Sequence, residues 1–558
     1  MQVQIFNPAR LSSTLATMML PLLIMGCANK QAQDIRPSET IKQSENRLFV
    51  GPVFLTGDDE IPEAKAIVVN PAGQIITLMK EMPASTKLEI VRLNGKFALP
   101  GLHDAHMHLR GLGQQSDLVN LKGATSVEDV VNRIAQWYSK HPHANMILGR
   151  GWDQNRFRNN QMPSSDDLSG LPKIPIVLTR VDGHAIWVND AAMKLAGETS
   201  APEASTAAAQ TITQPGIYID HDMARIRQVL PDPSSEMVQG WLSRGLDECA
   251  RNGLVAVHDM GMSVKSYLSL LALAADHPLP VRVFVYLDAM DPDTNQILEQ
   301  RLEAPRVHLM GVKLMADGAM GSRGAALHGA YEDAPGHHGT LLIDGKILEE
   351  TIRDVHSKGF QVAIHAIGDK ANQLAIESVA AAQGSDSSRR HRIEHVQLIS
   401  NDDLKAFQTL HLIASMQPTH ATSDMYWVED RIGKQRIQNA YAWRTLINAG
   451  AHLAFGSDAP VESIDPRAGI FAAISRTDIK GQPPGGWYPD QKLFVNEAID
   501  GFSSGAAYAV HQETNRGSLK AGYQFDLTLL DIDPRAEHEL WLKSQVRGTW
   551  IDGHQIMR

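Results

Sequence analysis

At both ends of the chain, apolar residues come in short runs broken by turn formers rather than in long helical periods. Phe54-Leu55, Ala66-Ile67-Val68-Val69 and Ile75-Ile76 are separated by Gly57-Asp58 and Asn70-Pro71-Ala72-Gly73, a pattern of strands joined by tight turns. Near the C-terminus, Asp526–Asp531 and Val546–Gly553 repeat this style. The pattern predicts one small β-sandwich-like domain built from residues 48–97 and 511–558. The intervening chain must then be a compact body whose two ends lie close together.

Over residues 98–510, strand-length apolar runs alternate with helical stretches. Eight runs occur in order: Ala98–His106, Leu254–His258, Arg282–Leu287, Met310–Met315, Gln361–His365, Arg392–His395, Leu412–Gln417 and His452–Ser457. Helices are predicted between most of them, among them Glu349–Lys358, Asn372–Ala382 and Arg436–Ala449. Eight βα units give the fold class: α/β, a (β/α)8 TIM barrel. An open doubly wound sheet would usually carry a glycine-rich phosphate loop after its first strand, and none stands there. The interval of about 110–253 is too long for one helix. It is expected to hold an insert on the face where a barrel keeps its active site.

The first residues follow another logic. Arg10 precedes an apolar run, Leu15–Met25, that ends in Gly26-Cys27. The run is shorter than the roughly 20 apolar residues of a membrane span, and the whole has the layout of a secretory signal. A cysteine directly after the glycine resembles the lipobox of bacterial lipoproteins. It implies a signal peptide over residues 1–26, lipidation at Cys27 and a flexible polar tether over 27–47. Ala28 after the cysteine implies the outer membrane, facing the periplasm. The expected place is the bacterial cell envelope, with membrane contact through the lipid anchor only.

Composition narrows the function classes. Hydrophobic residues at 43% and charged residues at 21% are ordinary for a globular protein, which excludes a disordered or collagen-like chain. Lys and Arg number 52 against 63 Asp and Glu. Without a basic excess, nucleic acid is not an expected partner. The only cysteines, Cys27 and Cys249, exclude a disulfide scaffold and a four-cysteine zinc ribbon. The 23 histidines are the informative excess.

Most of the strand candidates end in something chemical. The first ends in His106-Met107-His108, and residues i and i+2 of a strand share a face. The fourth carries Lys313, the fifth ends in His365, the sixth in His395 and the eighth in Asp458. Barrel enzymes draw their catalytic residues from the C-terminal ends of the strands. Glu394 precedes His395 and is expected to face away. His103 lies three residues before His106 and is expected on the opposite face. His258, at the end of the second strand, is expected as an outer support or a rim residue.

Gly101-Leu102-His103-Asp104-Ala105-His106-Met107-His108, with Lys313, His365, His395 and Asp458, resembles the ligand set of the amidohydrolase superfamily. Gly151-Trp152-Asp153-Gln154-Asn155, Val181-Asp182-Gly183-His184, Ala316-Asp317-Gly318 and Gly321-Ser322-Arg323-Gly324 are similar to its amidohydrolase-3 (YtcJ-like) branch, which includes N-substituted formamide deformylases. The resemblance implies a divalent metal, Zn²⁺ first, at one or two ions per chain. His106, His108 and Asp458 would hold one ion and His365 and His395 a second. Lys313, as a carbamate formed with CO₂, would bridge them; alternatively it remains an ammonium beside a single ion. Activated water would attack a carbonyl, with Asp458 as the catalytic proton acceptor. Trp152, His184 and Asp317 are candidate substrate contacts. Asp317 could instead hold Lys313 in an ion pair, and Trp152 could pack inside the insert.

The expected activity is hydrolysis of C–N bonds other than peptide bonds, in small N-substituted or N-acyl amides. A mononuclear deaminase or cyclic amidase on the same barrel is the alternative enzyme. A non-catalytic binding or regulatory lipoprotein of the envelope is the alternative of another class. The expected partner is a small-molecule amide, and self-association into a homo-oligomer is compatible with all three.

Overall fold

The computed structural model describes residues 45–158, 160–198 and 214–557. The expected signal peptide, Cys27 and nearly all of the expected tether lie outside the described residues.

Eight parallel strands form a nearly closed barrel. In chain order they are Leu102–Met107, Leu254–Met262, Arg282–Asp288, Val307–Met315, Gln361–Ala366, Arg392–His395, Ile413–Met416 and His452–Phe455. Each pairs with its sequence neighbour, and the first also pairs with the second. Where the eighth meets the first, one parallel bridge joins Met107 to Ala459. There the amide of Asp458 donates to the His106 carbonyl at 2.7 Å and that of His108 to the Ala459 carbonyl at 2.7 Å. Closure therefore brings the ends of the first and eighth strands, and their ligand candidates, side by side.

Most residues of the barrel strands are buried on both faces, as parallel strands covered by helices must be. Helices Gly345–Ser357 and Asp369–Gln383 cover the fifth strand. Leu348, Ile352 and Val355 form the buried stripe of the first of these, at helical spacing. Its N-terminus is fixed by Asp344, whose side chain accepts from the amide of Lys346 at 2.9 Å. The helix expected over Arg436–Ala449 is broken. Helix Val428–Arg436 is followed by a turn at Ile437–Asn439 and then by helix Trp443–Asn448. Between them Tyr441 takes φ 51°. Its buried hydroxyl donates to Asp424 at 2.7 Å and its carbonyl accepts from Arg476 at 3.0 Å. These tertiary bonds override the local helical pattern.

The first strand candidate divides as well. Phe97–Pro100 pairs antiparallel with Leu527–Leu530, while Leu102–Met107 enters the barrel. Gly101 stands at the junction, where a Cβ would come within 2.7 Å of the Val255 side chain and 2.9 Å of Asp526 Cβ. Only glycine passes so close without displacing a neighbour. Phe97–Pro100 belongs to a sheet that takes strands from both ends of the chain, from Arg47–Leu55 through His554–Met557. At the barrel base, buried Arg282 donates to Asp526 at 2.8 and 3.1 Å, and Arg516 adds a bond of 2.8 Å. Burial opposes the Asp526 charge, but the two guanidiniums outweigh it and hold the carboxyl down at about 2.

The long interval folds as a second layer. Its five-stranded sheet runs in the order Ile217–Ile219, Ala185–Val188, Ile176–Arg180, Ile147–Trp152, Val119–Asn120. Leu121, Val130, Ile134, Leu178 and Trp187 pack as its own core. The end of the interval returns to the barrel as helix Ser235–Arg251, where Cys249 is buried as a free thiol.

Candidate metal centre

The C-terminal ends of the barrel strands and the insert enclose a cavity of about 1330 Å³. His106, His108, Lys313, His365, His395 and Asp458 all line it.

His106 is fully buried. Its Nδ1 lies 2.6 Å from Glu394 Oε2. A carboxylate only accepts, so Nδ1 carries the proton and Nε2 presents its lone pair to the cavity. That Nε2 is buried with no hydrogen-bond partner among the described residues, and it lies 3.6 Å from Asp458 Oδ1. His108 Nε2 is 3.0 Å from the same oxygen. His395 Nδ1 is 2.8 Å from Gln417 Oε1, which frees its Nε2 in the same way. Donor atoms of His106, His395 and Asp458 all lie within 4.8 Å of one another. The His365 ring stands 4.6 Å from that of His395, and its Nε2 is 3.5 Å from Asp317 Oδ1.

Left-handed backbone at the strand ends makes this convergence possible. His395 takes φ 76°, Val396 φ 46° and Asp458 φ 58°, a region that non-glycine residues seldom adopt and that clusters at functional sites. The turn swings His395 into the cavity after a strand whose alternation has already placed Arg392 and Glu394 inside the barrel.

The electrostatics favour neutral donors beside one carboxylate. Burial, reinforced by the Lys313 charge, lowers His106 to about 4 in spite of Glu394. Burial likewise holds His365 and His395 well below the ordinary imidazole value. Asp458 is held well below the usual carboxylate range, because the His108 hydrogen bond and the imidazoles around it outweigh burial. Burial lowers Lys313 to about 8, against the raising effect of Glu394 and Asp458. Among the described residues, His106 Nε2 is buried without a hydrogen-bond partner, and its grouping with donor atoms of His395 and Asp458 within 4.8 Å fits a divalent metal.

Several sequence expectations need correction. Glu394 does not face away; it grips His106 from inside the barrel and is itself held by Arg392 at 2.8 and 3.2 Å. Strand alternation was the wrong guide because the strand ends at His395 in a left-handed turn. Trp152 is not a cavity residue. It is fully buried in the insert core, edge-on to Trp187, with Nε1 donating to the Leu178 carbonyl at 2.8 Å. Asp317 touches neither the cavity nor Lys313 as an ion pair. It is fully buried and accepts from the amides of Ala326, Ile367 and Gly368 at 2.9, 3.0 and 2.9 Å, fastening the loop after the fourth strand to the end of the fifth. Burial still raises it to about 7.

His184 does line the cavity, bonded to Asp220 at 2.8 Å with its ring 5.1 Å from His365. His258 lies inside the barrel, with Nδ1 3.0 Å from Arg392 Nη1. His103 packs edge-on against it at 5.9 Å.

Among the cavity residues that sequence reasoning missed, His420 and Arg150 stand out. His420 follows the seventh strand in Gln417-Pro418-Thr419-His420. Its ring stacks on His395 at 5.9 Å, and its Nε2 stands 3.6 Å from Asp458 Oδ2. A histidine three residues past a strand end was the available signal. Arg150 reaches the cavity from the insert strand Ile147–Trp152, and nothing in the sequence around it distinguishes it from a surface arginine.

A family model described as the amidohydrolase family (Amidohydro_3) matches residues 89–557. The chain is 31% identical over 486 residues to the YtcJ protein of Bacillus subtilis (strain 168), covering 84% of this chain and 91% of that one. It is 31% identical over 536 residues to the protein LONG AFTER FAR-RED 3 of Arabidopsis thaliana, covering 91% of this chain and 90% of that one. Among solved structures, an uncharacterised metal-dependent hydrolase from Pyrococcus horikoshii OT3 superposes with a TM-score of 0.72 at 27% identity, covering 88% of this chain and 99% of that one.

Proposed function

The chain belongs to the amidohydrolase family, and from that premise we propose that it is a metal-dependent hydrolase of non-peptide C–N bonds in small N-substituted or N-acyl amides. The observation that carries this reading is the meeting of His106, His395 and Asp458 within 4.8 Å at the mouth of the barrel, with Lys313, His108 and His365 on the same cavity wall.

His106, His108 and Asp458 would hold one divalent ion, Zn²⁺ first, and His365 and His395 a second. When bound, such an ion supplies a Lewis acid that polarises the carbonyl and makes water acidic near neutral pH. The remaining work falls to the chain. Glu394 and Gln417 fix the tautomers of His106 and His395. Asp458 accepts a proton from the attacking water and returns it to the leaving nitrogen, so that amide and water become acid and amine. The cavity walls hold the amide against Asp458, and no serine or cysteine nucleophile is required.

Lys313 is proposed as a carbamate, formed when its neutral amine adds CO₂ and releases a proton. Burial favours that neutral amine, and a carbamate is attracted by neighbouring cations that would repel an ammonium. Lys313→Ala is expected to lower bound metal from about two ions per chain toward one and to remove most activity. Elemental analysis reads the metal, turnover of an N-acyl amine reads the activity, and intact mass under native conditions reads the carbamate. A wild type with one ion and no added 44 Da would overturn the bridge.

The whole reading is tested by assaying the purified protein, with its metal content measured, against N-formyl amines, N-acyl amines and N-acyl amino acids. Metal bound without turnover of any of them would reject it; absence of metal would favour the non-catalytic alternative. A lipid anchor at Cys27 in the envelope is proposed from Gly26-Cys27 alone. Cys27→Ser is expected to move the protein from the membrane to the soluble fraction, because stable anchoring needs acyl chains. Unchanged fractionation and processing would refute it.

A further inference from the structure

The cations lining the cavity are not equivalent. Arg180 is held by Asp153 at 2.6 Å, by Gln154 at 2.7 Å and by Asp182. Lys122 is held by the Val461 carbonyl at 2.8 Å and lies 3.6 Å from Glu462. Arg150 and Arg227 differ: among the described residues, no carboxylate forms an ion pair with either. Arg150 donates through Nη2 to the Val181 carbonyl at 3.1 Å, and its buried Nε has no partner. Arg227 donates to the Gly183 carbonyl at 3.4 Å.

Both guanidiniums therefore reach the same turn, Val181–Gly183. Gly183 has φ +82°, and a Cβ there would stand 3.5 Å from Arg150 Nη2, so the guanidinium rests against the bare side of the turn. A guanidinium offers five donors in a planar fork matched to a carboxylate. Two beside one turn, neither taken up in an ion pair among the described residues although Asp458 and Asp182 act on Arg150 and Asp220 and Asp288 on Arg227 from a distance, keep donors free for a ligand anion. Other parts of the same cavity are apolar and adaptable: Met260, Met290, Met315 and Met320, with Ile343 and Ile347, line it. Methionine walls accept varied apolar groups.

We propose that Arg150 and Arg227 form a carboxylate subsite, so that the amide cleaved carries a carboxylate and an apolar remainder, as an N-acylated apolar amino acid does. This rests on the reading of the cavity as an amide-hydrolase site. It adds that one end of the substrate is fixed by charge on the insert while the amide lies at the strand ends.

The test uses matched ligands: N-acetylmethionine and its uncharged methylamide, with the metal-loaded protein and with Arg150→Gln, Arg150→Lys and Arg227→Gln. Dissociation constants come from calorimetry, and kcat/KM is measured where turnover occurs. The wild type is expected to prefer the carboxylate by roughly 10- to 100-fold, the scale of one or two charge-assisted hydrogen bonds. The ratio should fall to near one in Arg150→Gln, be partly kept in Arg150→Lys, and drop severalfold in Arg227→Gln. Arg227 is exposed, so that variant reads the subsite even if Arg150→Gln fails to fold. No preference in the wild type, or a preference untouched in Arg227→Gln and in folded Arg150 variants, would overturn the subsite. Preferential binding without turnover of either ligand would support the subsite while counting against hydrolysis of this class.

Discussion

His106→Ala is expected to abolish amide hydrolysis while leaving the barrel folded. The imidazole is the donor with the most elaborate support: Glu394 fixes its proton on Nδ1, and Arg392 fixes Glu394. Losing only a hydrogen-bonded supporter of a metal-bound histidine typically costs about 10- to 100-fold. Losing the histidine itself should exceed about 100-fold and deplete bound metal. Folding should survive because Glu394 keeps its bonds to Arg392, so no buried charge is stranded. His108→Ala should behave alike with less effect on stability, since His108 is partly exposed. Turnover, metal content and circular dichroism decide the matter together. Normal turnover with full metal in the His106 variant would remove it from the ligand set.

Asp458→Asn is the second large effect. The amide can still offer an oxygen to a cation, but it cannot take a proton from water. Loss of a positioned proton acceptor typically costs about 10²–10⁴-fold. The loss should appear in kcat, because substrate contacts elsewhere in the cavity are untouched. Asp317, a candidate substrate contact in the sequence, is occupied by three amides and is poorly placed to substitute. A near-normal kcat in Asp458→Asn would send the proton elsewhere, with His420, 3.6 Å from the same carboxylate, first in line.

The eight barrel strands and the ligand candidates were legible because two signals coincide in the chain: apolar runs of strand length, and a metal-binding side chain at or just past the C-terminal end of several of them. What stayed hidden depended on geometry that no spacing encodes. The inward turn at His395 reverses the face assigned to Glu394, and a positive φ is invisible in a sequence of ordinary residues. Trp152 and His184 belong to the same insert and looked equally eligible. Burial in the insert core removed one, and the turn at Gly183 delivered the other to the cavity. Asp317 sits in a motif beside the site, yet its bonds run to backbone on two loops, a role sequence cannot separate from substrate binding. Arg150 was missed because its distinction is the lack of a paired carboxylate, which only the packed structure reveals.

The sheet joining both ends of the chain also sets an order of events during synthesis. Phe97–Pro100, which leads directly into the first barrel strand, has Leu527–Leu530 as its neighbour on one side, and Arg282 at the barrel base has Asp526 as its counter-ion. Neither partner exists until the ribosome has passed the whole barrel; Asp526 follows Arg282 by 244 residues. The first barrel strand is thus made before the other seven and is among the last of them to acquire its complete surroundings. While the later barrel strands are being made, the nascent chain carries an open strand edge and, from Arg282 onward, an arginine lacking Asp526 at the barrel base, and both are satisfied only once residues 526–530 have emerged.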